Sequence, residues 1–272
     1  MMRDVIKQRM DNAKKGRIIL VSLLVIFSLL GHQLFGLFGE IAESPIILSV
    51  LYAFLSILVF FWVLRFKLNF RIITVISLHL ALIIFTQVLF LQTFFAGDFA
   101  RVSEAFLVIV VLIIAFLIIY FAFLTANIFA VSSFRRIPLE AVAKTSIYLL
   151  TVLSVFFLTY SILSLQDNIL FAVFILLIFY ILFVFLLMTY FFLEIRVILT
   201  NVFLIIWNVL LILAGTILFG MEVEFIALIT TVVFYYAVDF FIERRQEIIK
   251  SRLFEYFFFI FLVILFIFYY FY

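Results

Sequence analysis

The chain has no cysteine, and among its 272 residues there are only two prolines and seven glycines. Without thiols there can be no disulfide, no thiolate metal site and no cysteine nucleophile, and cysteine usage says nothing of the redox compartment. Neither Pro45 nor Pro138 lies in the interior of an apolar run, so the helices are expected to be mostly continuous. Many secondary transporters bind substrate where Gly or Pro breaks a membrane helix. This sequence offers few such breaks.

Charge is equally scarce. Only 12% of residues are charged, against roughly 25% in ordinary soluble domains. No Lys, Arg, Asp or Glu lies near the middle of an apolar run, which argues against a chain of ionisable groups of the kind that proton pumps use. There is no HExxH, P-loop, dinucleotide glycine fingerprint or GxSxG. Nor is there an aspartate-rich pair suited to a diphosphate-bound magnesium, or a potassium-type carbonyl filter. The two histidines, His32 and His79, sit on different runs at different depths. They make neither a bis-histidine haem site nor the three or four ligands that zinc takes. No cofactor, metal site or catalytic residue is therefore expected, and the reading is of a protein that is not an enzyme.

What the chain has is apolar surface. Hydrophobic residues make up 70% of it, including 42 phenylalanines, and too few polar residues exist to cover a soluble core of that kind. Lipid is the expected solvent. A membrane-crossing helix needs about 20 largely apolar residues, and the sequence supplies about nine such runs: about 18–38, 45–64, 72–95, 105–131, 146–165, 169–193, 197–219, 225–241 and 253–272. The first run is longer than a signal-peptide core and lacks a small-x-small exit, so it reads as a retained helix. The fold class is all-α, a polytopic transmembrane bundle with short loops that force antiparallel neighbours. Residues 1–17 form a basic amphipathic cytoplasmic segment, and 18–272 form a single transmembrane domain.

The loops set the orientation. Arg3, Lys7, Arg9, Lys14, Lys15 and Arg17 precede the first run; Arg65, Lys67 and Arg71, then Arg135, Arg136 and Lys144, then Arg196, then Arg244, Arg245, Lys250 and Arg252 follow on alternate loops. All but one of the 18 basic residues thus fall on one side, with only Arg101 opposite. The opposite loops hold Glu40, Glu43, Asp98, Glu104, Asp167, Glu222 and Glu224. Lys and Arg gather on the cytoplasmic side of short loops, which gives N-in and C-out. The basic residues serve topology and imply no nucleic acid. The outer carboxylates either concentrate cations at a mouth or are what remains when Lys and Arg are kept inside.

Several boundaries carry local signals. Ser44 before Pro45 reads as an N-cap with proline at the first helical position. Pro138, Leu139, Glu140 and Ala141 suit the start of a short interfacial helix. Trp62 and the terminal Tyr269, Tyr270 and Tyr272 suit aromatic belts. In the N-terminal segment Met2, Val5, Ile6, Met10 and Ala13 fall at helical spacing, and Ile248 and Ile249 repeat the idea between 243 and 252. Either segment lies on anionic headgroups or is a solvated basic loop. The last run, Phe257 to Tyr272, is apolar all round and suits lipid or partner contact rather than a pore lining.

Two polar sets remain. His32 and Gln87 lie about 14 and 15 residues in from the inner boundary, or roughly 21–23 Å at 1.5 Å per residue, and His79, Thr86 and Gln87 share one side of the third helix. Gln33 and Gln92 add donors in the outer half. This set is either a polar cavity open toward the outside or interhelical hydrogen bonding that fixes the packing. The second set is Thr125, Asn127, Thr200, Asn201, Tyr235, Tyr236, Asp239 and Glu255, near the cytoplasmic side. Asn127, Asn201, Asp239 and Glu255 form a candidate vestibule or are interfacial polar residues, with Asp239 paired to Arg244 or Arg245. Asn208, beside Trp207 at mid-depth in the seventh helix, suits a bond across a helix interface.

Three functions follow from this. The first is a non-enzymatic subunit of a transport, translocation or other multi-subunit complex of the plasma membrane, whose partners are lipid, anionic headgroups, other subunits or a second copy. The second is a self-sufficient channel or transporter, which needs a polar path from His32 and Gln87 toward Asn201 and Asp239. The third is a membrane-embedded enzyme acting on lipid, with Asp239 and Glu255 as its acidic groups.

Overall fold

The computed structural model describes residues 2–35, 44–64, 70–95, 102–132, 139–191 and 194–243. Among these there are eight α-helices and no strand: α1 Met2–Phe35, α2 Pro45–Leu64, α3 Phe70–Phe95, α4 Val102–Ser132, α5 Glu140–Leu165, α6 Ile169–Phe191, α7 Ile195–Leu218 and α8 Val223–Glu243. Seven of them, α2 to α8, are long and apolar enough to cross a membrane. The chain is a polytopic helical membrane protein. The ninth run (253–272), Glu255 and the connection 244–252 lie outside the described residues. So do the side chains of His32, Gln33, Met2, Val5, Ile6, Met10 and Ala13.

Backbone hydrogen bonds dictate helices here, because lipid offers no partner for an open N–H or C=O. The helix ends follow from a few residues. α2 starts at Pro45, where proline has no N–H to lose, and Leu48 N donates back to the Ser44 carbonyl at 3.2 Å. α6 is capped by Asn168, whose Oδ1 accepts from Phe171 N at 3.2 Å; sequence patterning did not single out this cap. α7 ends in a Schellman turn, with Met221 N donating to Thr216 O (3.3 Å) and Gly220 N to Ile217 O (3.0 Å). Gly220 takes φ +66° there, a left-handed conformation that glycine adopts without steric cost.

One boundary departs from the sequence expectation. Leu139, Glu140 and Ala141 do not begin a separate interfacial helix; Glu140 opens α5, which runs unbroken to Leu165. Nothing between them breaks a helix, an acid in the first turn complements the helix dipole, and Lys144 Nζ reaches Glu140 Oε1 one turn on at 3.1 Å. The N-terminal basic segment likewise continues without a break into the first apolar run as α1.

The helices cluster into two compact units, Met1–Ser161 and Ile162–Tyr272. In the first, α1 packs on α2 and α4, and α3 packs on α2 and α4, so four helices close into a ring. The α1–α2 pairing is antiparallel and in register. The Arg17 guanidinium lies 5.3 Å from the centre of the Trp62 ring. Further along, Tyr52 Oη and Ser28 Oγ are 2.6 Å apart. Ser28 already donates to the Val25 carbonyl, so Tyr52 is the donor across the interface. In the second unit α7 packs on both α6 and α8.

α3 is the central element of the first unit, with 72% of its membrane span buried against about a third for α2 and α4. Its ring of neighbours includes α5, held by Phe90, whose ring stacks on Phe157 at 4.3 Å and meets Tyr160 edge-on at 5.6 Å. Aromatic pairs at such distances contribute about 0.5–1.5 kcal/mol beyond area burial.

Candidate polar interior

The polar residues of α3 are enclosed. His79 and Thr86 are fully buried, and Gln87 and Gln92 nearly so. His79, Ile83, Thr86 and Phe90 recur at helical spacing on one side of α3, and two of them are seen to meet α5. His79 Nε2 lies 2.9 Å from Thr151 Oγ1. Thr151 Oγ1 also lies 2.6 Å from the Ile147 carbonyl, to which it donates its only proton. The Thr151 oxygen must then accept from His79, which fixes a proton on Nε2. Thr86 sits two turns beyond His79, about 10 Å along the axis, and donates to the Ile83 carbonyl at 3.0 Å.

That back-bonding is general. Ser22, Ser49, Ser154, Thr159 and Thr231 each donate to a carbonyl four residues earlier at 2.6–2.9 Å. A hydroxyl that returns to its own helix is neutralised in place and does not need a partner across the bilayer. Among the described residues, the buried atoms Gln87 Oε1, Gln92 Nε2, Asn127 Oδ1, Ser161 Oγ and Thr230 Oγ1 have no hydrogen-bond partner. Such groups are costly unless water or another polar group reaches them.

Of the first set expected from sequence, His79, Thr86 and Gln87 are therefore gathered on one buried helix, while the His32 side chain lies outside the described residues. The residue that sequence patterning missed is Thr151, the partner of His79. Its signal is faint, being one threonine among several on α5, and only the packing of α5 on α3 selects it. Ser28 and Tyr52 were missed too, although they lie at nearly equal sequence distances from the middle of the connection between α1 and α2.

The second set is divided. Asn127 lies on α4 in the first unit; Asn201 on α7 and Asp239 on α8 lie in the second. Asn201 is buried and Asp239 half-buried. The two occupy antiparallel neighbours at matching distances from the Gly220 turn, and so stand at one level of that hairpin. Glu255 lies outside the described residues. Among the described residues no three His, Asp or Glu side chains converge in a way that would hold a metal ion.

No family model, curated protein or solved structure matches the chain.

Proposed function

We propose that this protein is a non-catalytic subunit of a multi-subunit membrane complex, of the transport or translocation kind. It crosses the plasma membrane about nine times, with the N-terminus inside and the C-terminus outside. The observation that carries this reading is how the interior polar groups are used. His79 donates across to α5, Tyr52 donates across to α1, and Ser22, Ser154 and Thr159 return to their own helices. The first two join helices, the last three are satisfied in place, and binding is left to surfaces that face other chains. The orientation rests on the basic loops, and the position of Arg17 beside Trp62 agrees with both lying at one interface. The purified protein reconstituted alone into liposomes is expected to pass no small ion or solute, and transport is expected to need a second polypeptide. Flux through the lone protein would overturn the reading.

A specific observation favours a second reading, a self-sufficient channel or transporter. Gln87, Gln92 and Ser161 in the first unit each keep a buried polar atom without a partner, and internal water along α3 and α5 would satisfy them. In that case replacing Gln87 by Leu alters flux through the lone protein in liposomes.

A further inference from the structure

α1 and α2 meet at two polar contacts, which differ in what they leave open. Deeper in the hairpin, Tyr52 donates to Ser28 and Ser28 to the Val25 carbonyl, so both hydroxyl protons are used. At the basic end the Arg17 guanidinium lies 5.3 Å from the centre of the Trp62 ring, with Arg17 half-buried and Trp62 exposed. The indole face holds the cation. The five N–H donors lie in the guanidinium plane, however, and still need acceptors.

The sequence around the pair supplies no carboxylate. Residues 12–39 and 44–97 contain neither Asp nor Glu, while Lys14, Lys15, Arg65, Lys67 and Arg71 flank the same ends of the two helices. On α4, which also packs against α1, the acid is Glu104, in the first turn and so at the far boundary. The acceptor must therefore come from outside this hairpin and carry negative charge.

The surface beside the pair is apolar and open. Leu20, Leu24 and Phe27 on α1 and Leu55 and Leu58 on α2 are exposed. At about 100° per residue from the Ser28–Tyr52 contact, both rows turn to the same side of the antiparallel hairpin, which is also the side of Trp62. The lane runs about 15 Å along α1 from Arg17 to Phe27, the depth of one leaflet in a hydrocarbon core about 30 Å thick. A cation at the head of an apolar lane one leaflet long matches a phospholipid, phosphate at the guanidinium and acyl chain along the leucines. The surplus of basic residues selects a headgroup of net negative charge, because a zwitterionic one would bring an ammonium among them.

We propose that Arg17 and Trp62, with the lane beside them, bind one anionic phospholipid, its phosphate accepting from the Arg17 guanidinium in bidentate fashion. This goes beyond the proposed function and does not depend on it, because a complex subunit and a lone transporter can each carry a bound lipid.

Trp62 reports on its own site, since Trp207 is the other of the two tryptophans. The full chain with Trp207→Phe is reconstituted in phosphatidylcholine liposomes. Quenching of Trp62 is then titrated with phosphatidylglycerol or phosphatidylcholine brominated high on the acyl chain. Phosphatidylglycerol is expected to be preferred about tenfold, as a charge-assisted hydrogen bond confers. Arg17→Gln is expected to remove the preference. Arg17→Lys, which keeps the charge and loses the planar fork, is expected to leave about threefold. Lys15 is exposed and, two residues from Arg17, lies on the other side of α1; Lys15→Gln is expected to leave the preference nearly intact. Equal quenching by the two lipids in the parent protein overturns the inference. Equal losses from Lys15→Gln and Arg17→Gln overturn it in favour of diffuse attraction to a basic rim. Where Arg17→Gln does not fold, the parent protein and Arg17→Lys decide the matter, and an undiminished preference in Arg17→Lys rules out the bidentate contact.

Discussion

His79 on α3 donates from Nε2 to Thr151 Oγ1 on α5 at 2.9 Å, and the Thr151 hydroxyl in turn donates to the Ile147 carbonyl. The chain of donors ends on a backbone acceptor, so the histidine is tied into the packing of two parallel helices. Removing either partner should therefore cost stability. Double-mutant cycles between buried polar groups in membrane helices average about 0.6 kcal/mol and reach about 1.7. A cycle of His79→Ala and Thr151→Val, read from unfolding in detergent, is expected to give a coupling in that range. Coupling of zero would separate the two residues.

The α1–α2 register makes a second prediction. Tyr52 donates to Ser28 at 2.6 Å, so a double Ser28→Cys, Tyr52→Cys variant is expected to crosslink within one chain. Ser28→Cys with Leu58→Cys, which lies nearly two turns from Tyr52, is expected not to crosslink. Gel mobility under oxidising and reducing conditions reads both.

Gly220 holds φ +66° in the Schellman turn that ends α7. A Cβ there meets no neighbour, so Gly220→Ala tests backbone conformation alone. It is expected to destabilise by about 1 kcal/mol, with Gly220→Asn milder. Equal thermal stability of all three proteins would contradict this.

Orientation is accessible in the same cysteine-free background. Single cysteines at Asp167 and Glu222 are expected to react with an impermeant thiol reagent applied to intact cells. Cysteines at Lys144 and Arg196 are expected to react only after permeabilisation. The reverse pattern would invert the threading.

Helix existence was legible throughout the described residues, because twenty-residue apolar runs separated by short polar loops admit little else. The starts at Pro45 and Ile169 were readable to the residue, since short polar loops there precede abrupt apolar onsets. α5 starts earlier than its apolar run, because Glu140 and Lys144 extend it through an ion pair that hydropathy does not weigh. The place of His79, Thr86 and Gln87 together on one helix was legible from spacing; their burial was not. Their partners were not. Thr151 is one hydroxyl among many, and which one faces α3 depends on how helices cross, a matter of side-chain packing that no run of letters displays. The Asn168 cap was hidden for a different reason, as asparagine in a polar loop reads as punctuation until a helix N–H is seen to bind it.

Gln87 separates the two functional readings. Its Oε1 is buried without a partner, and an unsatisfied acceptor replaced by an apolar side chain of similar size is neutral or stabilising. Gln87→Met is thus expected to raise or preserve thermal stability while leaving complex assembly intact. Loss of stability would show that water or another group serves that oxygen.

The most direct measurement is the composition of the particle taken from native membranes in mild detergent, by mass and by sequencing of what co-purifies. The account predicts a second polypeptide in fixed stoichiometry with this chain. A particle made of this chain alone, active in flux when reconstituted, would contradict it.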